Sequence, residues 1–232
     1  MTLFATLAWW MATAWLVAPH PVVTDDIRQR TTGLTGVIGH WTESVDSTAI
    51  ITVDGAKWSG QTPVAELTRA SVQWFGSASD AFVRNGSAVG AFPLAVASHV
   101  ARFTSGTLRV QFKMISGASD QNAGLVFDLA PTGEYLYARY NTKDGDLALW
   151  RFVNGERQII VHGSGANQLA LGTWHELVVN INGRALDVSV KGDTTLKLTA
   201  TLDRVPTGRV GLWVKRDAVT AFRSFSATAA GR

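Results

Sequence analysis

Two Asn-Gly dipeptides constrain the fold of this chain more than any other feature. Asn154-Gly155 divides "DLALWRFVNGERQIIVHG" and Asn182-Gly183 divides "WHELVVNINGRALDVSVKG". Each stands between two runs in which apolar and polar residues alternate. A period of two is the pattern of a half-buried strand. Asn-Gly favours the two-residue type I′ turn, whose central residues both take positive φ, which Gly accepts freely and Asn tolerates. Two β-hairpins are therefore predicted. "TAIITVDG", "TLRVQFKMIS", "AGLVFDLA", "EYLYARYN", "GRVGLWVKRD" and "VTAFRSFSAT" read as further strands, with "PTG" as a turn between two of them. Short strands at this spacing predict an all-β, two-sheet antiparallel sandwich. Helical signal is slight: Thr62-Pro63 ahead of "VAELTRA" could cap a turn or two, with Pro at the first helical position.

At 232 residues the chain suffices for one substantial domain, which buries roughly 70% of its unfolded surface without staples. The absence of cysteine excludes disulfides, thiolate metal sites and cysteine nucleophiles. The formal charge of +3 is dispersed, with no run of Lys or Arg longer than two residues. A nucleic-acid binder concentrates such residues in a stripe, so no nucleic-acid partner is expected.

The first eighteen residues are different material. Leu3 to Ala18 is almost wholly apolar, and Ala12-Thr13-Ala14 supplies a small-x-small cleavage pattern. The run is shorter than the roughly 20 residues of a membrane span, and no Lys or Arg precedes it. A signal peptide over 1–18 is expected, with an N-terminal anchor as the alternative. The mature protein is then periplasmic or secreted, touching a membrane only through this segment if it is uncleaved. Residues 19–39 read as a lead-in, and 40–229 as the domain.

The segment "GTLRVQFKMISGASDQNAGLVFDLAPTGEYLYARYNTKDGDLALWRFVNGERQII", the hairpin "GTWHELVVNINGRALDVSVKG" and the closing "GRVGLWVKRDAVTAFRSF" together resemble the jelly-roll domains of the concanavalin A-like lectin/glucanase superfamily. They look closest to its LamG-like and 3-keto-disaccharide hydrolase-type (DUF1080) branch. The resemblance covers Thr107 to Ala227 well and Trp41 to Ser105 loosely. Two positions depart from it. Asp128 follows "GLVF" where close relatives would carry Arg, and "NTKDGD" replaces a more acidic loop.

Ligands in that superfamily usually lie on the concave sheet face. If Leu136, Ala138 and Tyr140 face the core, Tyr135, Tyr137, Arg139 and Asn141 point into the hollow. Trp213 and Lys215, opposite Leu212 and Val214, join them. Sugars suit such a face, because their C–H faces stack on aromatic rings and their hydroxyls pair with Arg and Asn. The resemblance therefore implies an exported carbohydrate-binding domain. The competing reading is structural: tyrosines are common in strands, and Arg139 would neutralise Asp128 or Glu134.

A glycoside hydrolase of the 3-keto-disaccharide type is the alternative function, and an envelope interaction or structural domain the third. Retaining glycosidases need two carboxylates about 5–5.5 Å apart, as in the E-x-D-x-x-E string of the glucanase branch, which is absent here. Asp144 and Asp146 have the spacing but bracket a turn glycine. Asp128, Arg139 and Glu176 are catalytic candidates only as a loose group. No cofactor is expected. The five histidines are scattered without H-x-H or H-E-x-x-H, so no transition-metal site is predicted, although the oxygens of "TKDGD" could serve a structural calcium.

Overall fold

The computed structural model describes residues 32–57, 71–88, 92–163 and 167–231. The apolar segment 1–18 and the Thr62-Pro63 cap lie outside them.

Among the described residues, fourteen strands form two seven-stranded antiparallel sheets. In chain order they are β1 (Leu34–Ile38), β2 (Trp41–Asp46), β3 (Thr48–Asp54), β4 (Leu94–Ala97), β5 (Gly106–Ser116), β6 (Asn122–Leu129) and β7 (Tyr135–Asn141). They continue as β8 (Asp146–Val153), β9 (Glu156–His162), β10 (His175–Asn182), β11 (Ala185–Val190), β12 (Lys197–Thr201), β13 (Arg209–Trp213) and β14 (Val219–Ala229). The first sheet runs β1-β4-β13-β6-β7-β8-β9, and the second β12-β11-β10-β5-β14-β3-β2. This is the predicted sandwich.

Between the sheets lies one apolar core. β5 contributes Leu108, Val110, Phe112 and Met114, and β10 contributes Leu177, Val179 and Ile181. From the first sheet come Leu125 and Phe127, Leu136, Ala138 and Tyr140, and Val210 and Leu212. Alternation in the sequence thus assigns the inward residues correctly. One polar atom in this layer is fully used: the Tyr140 hydroxyl donates to the Asn167 carbonyl at 2.6 Å and accepts from the Leu169 amide at 2.8 Å.

The two hairpins close differently. Val153 pairs with Glu156, and Asn154 and Gly155 have φ of 53° and 81°, the type I′ geometry expected. In the second hairpin Asn182 is itself the last ladder residue, opposite Ala185. The turn there is Gly183-Arg184, with φ positive at Gly183 (59°) and not at Arg184. That is the pattern of type II′, which needs Gly at its first central position. Asn-Gly marked the site of the reversal but not the register.

Two further expectations change. The lead-in over 19–39 contains β1, whose Leu34, Val37 and Ile38 are buried; Thr and Gly interruptions hid so short a strand. And the chain does hold a helix, α1 (Ser79–Ala88), following helical residues 71–75 and a 3-10 turn over Gly76–Ala78. Phe82 of α1 is buried, its ring 5.1 Å from that of Phe75. These residues lie on the outside of the first sheet, and that placement decides what its outer face can do.

Candidate functional site

Strand β7 turns as its alternation requires. Leu136, Ala138 and Tyr140 enter the inter-sheet core, and Tyr135 and Tyr137 join Trp213 in a second cluster on the other face. Tyr137 stacks on Trp213 with ring centroids 4.1 Å apart, and the Trp213 indole N–H donates to the Tyr135 hydroxyl at 3.2 Å. The aromatic side chains predicted to converge do converge.

The open hollow expected around them is not there. Tyr137 and Trp213 have no exposed surface, and Tyr135, Arg139 and Asn141 are buried as well. Phe92 stacks on Trp213 at 5.5 Å, while Phe82, Trp74, Phe75 and Val83 complete the cover. Arg209 is held over Trp74 and Phe75, 5.6 and 5.7 Å from their ring centroids. The physical reason is economy of apolar area: a face carrying this much aromatic surface gains more from a helix packed on it than from water. Burial pushes the Tyr137 hydroxyl up to about 12, partly offset by the Arg157 charge.

The polar end of the same face remains accessible. Arg139 donates from Nη1 to Asp146 at 2.7 Å and from Nη2 to Asp144 at 3.3 Å. Its guanidinium lies between these two carboxylates. Among the described residues no group of three or more His, Cys, Asp or Glu could hold a metal. Asn141 donates to Asp144 at 2.8 Å, and His162 Nδ1 lies 3.2 Å from Asp146. Lys215 reaches Asp120 at 3.2 Å and sits beside, rather than among, the aromatic group.

Trp150 on β8 ties these groups together, and nothing in its own segment marks it out. Half-buried, it stacks over Tyr137 at 6.3 Å and meets the His162 ring edge-on at 6.4 Å. Arg157 and Arg139 lie 4.9 and 5.9 Å from its ring centroid. The Asp144 and His162 side chains beside it are 55% and 63% exposed. Three buried polar atoms here, Trp150 Nε1, Tyr137 Oη and Arg139 Nε, have no hydrogen-bond partner among the described residues. A cross-strand reading of β7 and β8, in which Tyr137 pairs with Trp150, could have found it.

The candidate catalytic set is dispersed. Asp128, next to last in β6, has a left-handed conformation, φ 55°. It takes both Arg204 guanidinium nitrogens at 3.2 and 2.5 Å and the backbone amides of Thr207 and Gly208 at 2.8 and 3.2 Å. Gly124, four residues before it, is the register partner of Arg139, so Asp128 and Arg139 stand about 13 Å apart along the strands at 3.3 Å per residue. Glu176 belongs to the second sheet, bound by Arg109 and Lys191 at 3.3 and 3.2 Å. His175 points the other way, its ring 5.6 Å from that of Phe112. The three candidates do not meet.

No protein-family model matches the chain, and no curated protein matches it. Solved structures do. The carbohydrate-binding module CBM66 from Bacillus subtilis is 16% identical with a TM-score of 0.58, over 84% of this chain and 94% of that one. A Bacillus subtilis protein of unknown function with a galectin-like fold is 11% identical with a TM-score of 0.52, over 85% and 91%. At these identities the likeness is one of fold. Together with the two antiparallel sheets, it shows a galectin-like jelly-roll fold.

Proposed function

We propose that this chain is an exported carbohydrate-binding domain that takes a sugar at the polar end of the first sheet's outer face. The observation that carries the reading is Trp150: a half-buried indole bracketed by Arg139, Arg157, Asp144, Asp146 and His162. An aromatic platform beside fixed charged donors and acceptors is the chemistry that sugar rings and hydroxyls require. A fold neighbour described as a carbohydrate-binding module supports the same class of ligand. Kinship with the LamG-like, 3-keto-disaccharide hydrolase branch belongs to this proposal too. Binding is preferred to hydrolysis because Asp128, Arg139 and Glu176 are not assembled.

The expected affinity is modest. One aromatic contact contributes about 0.5–1.5 kcal/mol beyond its area, and each hydrogen bond to a charged group about 1.5–3 kcal/mol. Ordering and association then cost several kcal/mol, leaving a dissociation constant near the millimolar level, about −4 kcal/mol. The test is a glycan array followed by calorimetry on the hits. Asp144→Asn, on a mostly exposed side chain, and Trp150→Ala should each weaken the hit about tenfold or more. Unchanged binding in Asp144→Asn, with its fold intact by circular dichroism, refutes the assignment. Turnover of a reactive glycoside by the wild type would favour the hydrolase instead.

A further inference from the structure

The outer face of the second sheet carries a separate cluster that the site above does not use. Trp174 precedes β10, and register places its side chain outward: Phe112, opposite His175, faces the core, while Gln111, opposite Glu176, faces out. The half-buried Trp174 ring has the Arg223 guanidinium 4.1 Å and the Lys113 ammonium 4.9 Å from its centroid. Arg223 is held there by its Nε donating to the Gln111 side chain at 2.7 Å. Arg223, Gln111 and Glu176 form one row across β14, β5 and β10, with strands about 4.8 Å apart. Arg109 and Lys191 flank that row, both paired with Glu176.

The charge balance of this face is lopsided. Four cations, Arg109, Lys113, Lys191 and Arg223, meet the single carboxylate of Glu176. Two further acids on the face stand in other rows: Asp187 opposite Asn180, and Asp54 opposite Val219 and paired with Lys57. Lys113 and Arg223 have no carboxylate partner among the described residues. Cations fixed on an indole and left without a counter-charge are a preorganised receptor for an anion, and Arg is suited to carboxylate and sulfate groups. The accessible indole edge and the amides of Gln111 and Asn180 add contacts for a polyhydroxylated ring.

We infer that this face is a second glycan site, specific for an acidic polysaccharide whose carboxylate or sulfate groups reach Arg223 and Lys113 beside Trp174. A nucleic acid fits less well. Its readers stack successive bases on free aromatic faces, whereas this surface offers one indole with cations already against it.

The experiment is affinity electrophoresis and calorimetry of the full chain with a polyuronate, a sulfated glycan, a neutral glucan and single-stranded DNA. Measurements are made at low and at physiological ionic strength, about 0.15 M. The acidic glycans should be retained and the neutral glucan should not depend on this face. The polyuronate and sulfated arms identify which acid is preferred. Arg223→Gln and Lys113→Gln should each weaken retention about tenfold, and the pair should abolish it at physiological salt. Both residues lie on the sheet surface, so thermal midpoints should hold. Trp150→Ala should leave acidic-glycan binding unchanged, which separates this site from the first. No retention of either acidic glycan, or full retention by the double variant, overturns the inference. Equal retention of single-stranded DNA with the same variant dependence also overturns it, as simple ion exchange.

Discussion

Replacing Asp128 with Ala tests whether that carboxylate is a clamp rather than a catalyst. It is 5% exposed and receives four hydrogen bonds, two from Arg204 and one each from the Thr207 and Gly208 amides. The two amides lie at the surface end of a loop, so losing their acceptor costs about 1 kcal/mol each, the low end for unsatisfied donors. The Arg204 side chain is 63% exposed, which limits the ion pair to about 0.5 kcal/mol. Alanine at the 55° φ of this position adds about 1 kcal/mol, because it lacks the local bonding that lets Asp tolerate the left-handed region. The expected loss is about 3.5 kcal/mol in total. Asn keeps an acceptor oxygen and the backbone tolerance, so Asp128→Asn should lose only about 1 kcal/mol. Urea titration followed by tryptophan fluorescence measures both. Alanine within 1 kcal/mol of wild type, or Asn as damaging as Ala, would refute the clamp.

Trp213→Ala should destabilise the fold by about 3–5 kcal/mol, since its ring is sealed against Tyr137 and Phe92; a midpoint shift as small as that of a surface mutant would contradict the buried face. All three tyrosines lie on β7, and burial raises the hydroxyls of Tyr135, Tyr137 and Tyr140. Stability is therefore fully present below the unfolded phenol value, about 10, and falls as pH rises beyond it. Ultraviolet titration should show tyrosinate appearing only with alkaline unfolding, and tyrosinate in the native protein near pH 10 would count against it. Burial acts to raise the Asp217 carboxyl, but the amides of Ser119, Asp120 and Ala118 outweigh it and hold the group below its usual range. Its contribution is present above about pH 4 and lost as pH falls through the lowered native value. Asp217→Asn should flatten that acid decline in urea midpoint; an unaltered slope would show that the amides do not matter.

How much of the site was legible follows from what kind of pattern each part makes. The two faces of β7, and the alignment of Trp213 with Tyr137, follow from the strict alternation of side chains in a strand. Trp150 was missed because its role is cross-strand: it matters through its register with Tyr137, which no single segment displays. Asp128 looked like a candidate acid because a sequence does not show hydrogen-bond saturation. Its partners lie 76 to 80 residues away.

The sequence by itself determined the architecture and the sidedness of the strands, because backbone pleating turns a period of two directly into inner and outer faces. Only the tertiary structure decided which outer face is open. The aromatic one is roofed by α1 and Phe92, elements whose docking depends on apolar area gathered from six strands. On that face the charged margin around Trp150 stays uncovered, with Asp144 and His162 exposed, since ionic side chains are costly to strip of water and stay at the edge of such a cover.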